Sequence, residues 1–147
     1  MLSTNPAHAG FVHFCAHMYT MRAMSDKETT LQELKDLLAK FRDERDWKQF
    51  HNAKDLAEAG IVEAGELLEL FLWKDKDAVT EALKNDAKFR SAVAEELADV
   101  LNFTLLFADI TGIDLAEACK DKISKNHKKY PADKVRGSAK KYTEYFT

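Results

Sequence analysis

Glycine and proline are both scarce in this chain, at five and two of 147 residues. No stretch gathers glycines into a P-loop or a G-x-G-x-x-G turn, so a glycine-rich phosphate cradle is excluded. Pro6 and Pro131 lie near the ends, and the 124 residues between them hold no obligatory helix breaker. The two cysteines, Cys15 and Cys119, are too few for a disulfide scaffold and read as reduced thiols. No run approaches 18 apolar residues, which excludes a membrane-spanning helix. The N-terminus lacks the charged start and apolar block of a secretory signal, so a cytoplasmic location is expected. The net charge is −3, which offers no broad electrostatic attraction to nucleic acid.

What the chain has in quantity is helix former: 20 Ala and 16 Leu against 6 Val and 4 Ile. Ala and Leu lose little freedom in a helix, whereas β-branched residues lose χ1 freedom there. The expected fold is therefore all-α, in one domain. Residues 1–24 differ from the rest. They carry His8, His13 and His17, all four methionines and no acidic residue, and they show no period. They are expected to form a disordered N-terminal extension to a domain at residues 25–147.

Helix signals punctuate that domain. Ser25 with Glu28, or Thr30 with Glu33, supplies a capping box, and Leu31, Leu34, Leu37, Leu38 and Phe41 follow at helical spacing. This helix should end near Arg45, leaving a loop at residues 46–51. Asn52, with Asp55 three residues on, caps a second helix that should reach Trp73. A short helix is expected at residues 79–85 and a long one at 89–111, stopped by Gly112. Asp114 with Glu117 caps a last helix ending before Pro131, followed by a polar, basic tail. The second half of the long helix, VLNFTLLFADI, is apolar nearly all round. Such a helix must be buried on every side, so assembly with a second chain is expected.

Two acid pairs carry the chemistry. Glu63 and Glu66 lie in IVEAGELLEL, Glu96 and Asp99 in AEELADVL, each pair spaced i, i+3 on one helix face. Two such helices packed antiparallel would converge four carboxylates, which repel unless cations sit among them. Mg²⁺ or Mn²⁺ suits that set of hard oxygen donors. The same spacing also suits a solvated acidic stripe. Against that, Trp73 lies seven residues after Glu66 and Phe103 seven after Glu96, placing a large aromatic near each pair. Such aromatics also suit core or interface packing. A di-iron centre would need Glu-x-x-His motifs, and no histidine follows Glu63 or Glu96 at that spacing.

The loop ERDWKQFH, EAGELLELFLW, EELADVL and the tail KYPADKVRGSAKKYTEY together resemble the MazG-like all-α nucleoside triphosphate pyrophosphatases, nearest to their dCTP pyrophosphatase branch. The likeness runs over about residues 28–145. It implies a four-to-five-helix bundle completed by oligomerisation, as a homodimer or homotetramer. It also implies Mg²⁺-dependent cleavage of a nucleoside triphosphate, such as dCTP or a modified cytosine nucleotide, to a monophosphate and pyrophosphate. By the same resemblance Glu63, Glu66, Glu96 and Asp99 are the metal ligands and catalytic residues; metal-assisted attack by water also calls for a base, for which Glu69 and Glu95 are the candidates. Trp47, His51, Trp73 and Phe103 would line the base pocket, and Lys122, Asn126 and Tyr130 the phosphate side. Arg136, Ser138, Lys140, Lys141 and Tyr142 lie in a tail that folds over the nucleotide in relatives. A dUTP-type diphosphatase on the same scaffold, or a non-catalytic helical interaction protein, are the alternatives.

Overall fold

The computed structural model describes residues 25–144, apart from the side chain of Tyr142. The expected extension at residues 1–24 lies outside the described residues. Among the described residues the chain is all-helical: α1 Leu31–Asp43, α2 Ala53–Glu69, α3 Lys76–Asn85, α4 Ala87–Thr111, α5 Leu115–Lys129 and α6 Ala132–Val135. Short 3₁₀ turns cover Trp47–Phe50 and Tyr142–Glu144.

The sequence signals act where they stand. Thr30 and Glu33 form the capping box of α1. Asn52 accepts from the Asp55 N–H at the start of α2, and Asp114 accepts from the Glu117 N–H at the start of α5. Gly112 closes α4 at φ 69°, a left-handed conformation that costs glycine least. Two boundaries differ from expectation. α3 begins at Lys76 because Asp75 accepts from the Asp77 and Ala78 N–H groups. α2 stops at Glu69, short of the expected Trp73. Beyond it Phe71 and Leu72 donate to the carbonyls three residues back, and Trp73 takes φ 61°. Lys74 Nζ donates to the Leu70 carbonyl and lies 4.3 Å from the centre of the Phe89 ring. Phe71 meets Phe89 edge to face, with ring centres 5.9 Å apart. This tertiary contact turns the chain away from a period that the sequence alone would continue.

The main packing is α2 against α4, with α1 and α3 also resting on α4. α2 and α4 run antiparallel: Phe71 meets Phe89 at one end, and a Cβ built on Gly60 would lie 3.6 Å from the Phe103 Cβ towards the other. Leu56, Leu105, Leu106 and Ala108 form the fully buried core. Each such leucine removed from water is worth about 1.5–3 kcal/mol. Leu97 and Leu101, in the same long helix, stay exposed.

One ion pair ties α1 to α4. Arg42, buried to 4% exposure, donates through Nη1 to Asp109 Oδ2 at 2.9 Å and through Nε to Asp43 Oδ1 at 2.7 Å. Asp109→Ala leaves this buried guanidinium with Asp43 alone and is expected to cost about 2 kcal/mol. Denaturant unfolding of the two proteins checks the loss.

Candidate active site

α2 and α4 present their acidic faces to each other because they pack antiparallel. Glu63 is nearly buried, and Glu96 and Asp99 are half-buried one turn apart on α4. One carboxylate oxygen from each of these three lies within 4.8 Å of the others. Glu66 stands outside this tightest group, yet its charge reaches Glu96. Asn102 Nδ2 donates to Asp99 Oδ1 at 3.4 Å. Sequence reasoning gave Asn102 no role, although a polar residue inside the apolar half of α4 was a visible signal.

The cluster is electrostatically uncomfortable. Burial raises the pKa of Glu96, and the charges of Glu66, Asp99 and Glu95 add to the shift. Burial likewise raises Asp99; the Asn102 hydrogen bond opposes this and Glu95 reinforces it. Hard carboxylate oxygens converging from two rigid helices are the donor set a divalent cation fits. Glu69 and Glu95 are exposed, and Glu95 accepts a hydrogen bond from the Ser91 hydroxyl.

A stability signature follows. A carboxyl that binds its proton more tightly in the folded chain stabilises the fold below its folded-state pKa. That contribution disappears as pH rises through this value. Glu96 and Asp99 therefore weigh against the metal-free fold at neutral pH. Mg²⁺ is expected to raise Tm more at pH 7.5 than at pH 5, and Glu96→Gln to raise the metal-free Tm at pH 7.5 while removing most of the Mg²⁺ shift. His51 acts in the opposite sense. Burial, and then the charge of Arg42, lowers its pKa from 6.5, so its contribution is present above that pH and fades below it. Calorimetry across the pH range, with and without Mg²⁺, reads both.

The aromatic residues divide between the two ends of the α2–α4 pair. Phe103 packs beside Gly60, in the first half of α2. Trp47 and His51 lie in the segment leading into that end, and His51 Nδ1 is buried with no hydrogen-bond partner among the described residues. Trp73 lies past the opposite end, 98% exposed. The expectation that Trp73 shares the helical face of Glu66 is thus corrected: α2 has ended four residues earlier, and Trp73 sits in a turn.

α5 makes only marginal contact with the other helices, and its side chains from Ala116 to Lys129 are exposed. Lys122 and Asn126 therefore do not pack against the acid cluster within one chain. Asn126 and Tyr130 instead line a shallow groove with Ile123 and His127. The tail carries α6 and a left-handed Gly137 at φ 75°, with Arg136, Ser138, Lys140 and Lys141 exposed.

An all-α chain that converges carboxylates from two antiparallel helices is a helical bundle with a candidate metal centre. The MazG-like family model matches residues 59–145, and the chain belongs to the MazG-like family. It is 43% identical over 117 residues to dCTP pyrophosphatase 1 of Rattus norvegicus, covering 80% of this chain and 68% of that protein. It is 41% identical over 117 residues to dCTP pyrophosphatase 1 of Homo sapiens, with the same coverage. A crystal structure of a pyrophosphatase from Archaeoglobus fulgidus superposes with a TM-score of 0.64 at 38% identity, over 74% of this chain and 98% of that one. Among the described residues no helix is long and apolar enough to cross a membrane.

Proposed function

We propose that the chain is a Mg²⁺-dependent deoxynucleoside triphosphate pyrophosphohydrolase that releases a monophosphate and pyrophosphate, with dCTP or a modified cytosine nucleotide as substrate. The observation that carries this reading is the meeting of Glu63, Glu96 and Asp99 across α2 and α4, beside Glu66. The curated relatives named dCTP pyrophosphatase 1 support the reaction and the base.

When bound, Mg²⁺ neutralises the triphosphate and lowers the pKa of an attacking water. Glu63, Glu66, Glu96 and Asp99 would hold that ion, and Glu69 or Glu95, on the same two helices, is the candidate base for the water's proton. Trp47, His51 and Phe103 receive the base at the Gly60 end. Cys119 is exposed and free, as a reducing cytoplasm permits.

A second copy of the chain completes the fold. Ile61 and Leu68 are 74% and 58% exposed on the outer side of α2, with Gly65 between them and nothing near it. Leu97 and Leu101 form a second exposed stripe on α4, turned away from α2. A homodimer buries one stripe and a homotetramer both. A two-fold axis crossing the α2 stripe runs the partner helix antiparallel. That brings the other copy of Trp73 alongside the Gly60 end of α2.

The test is a substrate panel: dCTP, dTTP, dATP, dGTP, dUTP and 5-methyl-dCTP, each with Mg²⁺, with products separated by chromatography. Pyrophosphate from the cytosine nucleotides is the expected result. Preference for dUTP would move the specificity but keep the reaction, and release of orthophosphate would sink both.

A further inference from the structure

Between α1 and α2 the chain turns through Arg45, Asp46 and Trp47, and the turn is built with unusual care for a surface connection. Asp46 takes a left-handed φ of 53°. Gln49 Nε2 clamps it from the other side, donating to the Asp46 carbonyl at 3.0 Å and to its Oδ2 at 2.9 Å. The Arg45 Cζ lies over the Phe41 ring, 3.6 Å from its centre, while Nη1 donates to the Phe41 carbonyl at 2.8 Å. Phe41 in turn meets Trp47 edge to face at 5.9 Å and 73°, and the same guanidinium is 5.9 Å from the Trp47 ring. Arg42, three residues before Arg45, locks α1 to Asp109 of α4.

The two arginines therefore divide the work. Arg42 fixes α1 relative to the helix that carries Glu96 and Asp99. Arg45 fixes Trp47 relative to α1. Capping the Phe41 carbonyl alone would need only a hydrogen-bond donor. The positions over Phe41 and near Trp47 use the cation itself, which a neutral donor does not supply. A tryptophan on a four-residue 3₁₀ turn has little backbone support of its own.

We propose that Arg45 is a positioning residue for Trp47, holding the indole at the angle at which a planar nucleotide base stacks on it. This rests on the reading above that Trp47 contacts the base. Its effect belongs to binding of the base and not to the phosphate end, so it separates from catalysis.

The full-length protein with Mg²⁺ is compared with Arg45→Met, Arg45→Gln, Arg45→Lys and Trp47→Ala. Arg45→Met and Arg45→Gln are expected to raise KM for dCTP about tenfold with kcat within about twofold. Arg45→Lys, which keeps the cation, recovers most of the loss. Inhibition by inorganic tripolyphosphate, which has no base, stays unchanged. In a Trp73→Phe background the remaining indole emission shifts in Arg45→Met. A rise in the tripolyphosphate inhibition constant equal to that in KM overturns the proposal, as does a fall in Tm with KM unchanged. If Arg45→Met does not fold, Arg45→Gln keeps a polar N–H donor on the side chain and carries the same comparison. An unaltered KM in Trp47→Ala removes the base contact itself, and the proposal with it. A raised KM in Trp47→Ala alone refutes the Arg45 step and leaves the base contact standing.

Discussion

Glu63→Gln combined with Glu66→Gln is expected to abolish turnover, by at least about a thousandfold, with the helical circular dichroism unchanged. Both substitutions keep shape and an acceptor oxygen but remove the anionic donors of α2. Glu96 and Asp99 then face no opposing charge across the helix pair, and Glu96 loses one of the charges that raise its pKa. Metal-free protein becomes more stable, because like charges that are close together no longer repel. Isothermal titration with Mg²⁺ should lose its binding signal in parallel with the rate. The combination is diagnostic. A solvated acidic stripe would give the gain in stability without a loss of rate, and a misfolded variant would give the loss of rate with a fall in stability.

Charging the α2 stripe is the second large effect. Ile61→Asp with Leu68→Asp is expected to shift the protein to monomers in sedimentation velocity and to lower activity at least about tenfold at micromolar chain concentration. Neither side chain touches the acid cluster on its own chain, since both lie on the side of α2 turned away from α4. The loss therefore follows from separating the chains. An active monomer would overturn the two-chain site, though not the acid centre. Gly65→Ala gives a finer reading of the same face. In the isolated chain it fills open space in a helix interior and adds about 0.5–1 kcal/mol, so destabilisation would show that the backbone there is approached closely.

Much of the architecture can be read from short-range signals. Asn52 with Asp55, Asp114 with Glu117 and the left-handed Gly112 act through contacts within a few residues, and sequence displays them directly. The i, i+3 acid pairs are equally local. Their convergence follows once α2 and α4 are known to be antiparallel, which the short intervening α3 permits. Local reasoning fails where a distant residue decides. The apolar run FLW continues the helical period past Glu69, but Phe71 leaves the helix to meet Phe89. Arg42 looks like a surface residue of an amphipathic helix, and its burial depends on Asp109, 67 positions away. The placement of α5 is of the same kind. Its spacing puts Lys122, Asn126 and Lys129 on one face, but nothing within the chain says what that face meets.

The antiparallel α2–α4 pair also sets how the molecule forms. Its contacts join residues as distant in sequence as Gly60 and Phe103, so the chain must close over α3 before the pair can form. Here the hairpin is also where Glu63, Glu96 and Asp99 collide. Their repulsion is met whenever the two helices come together, before any nucleotide arrives. A cation held among them would relieve that repulsion in the helix pair as it forms as well as in the finished site.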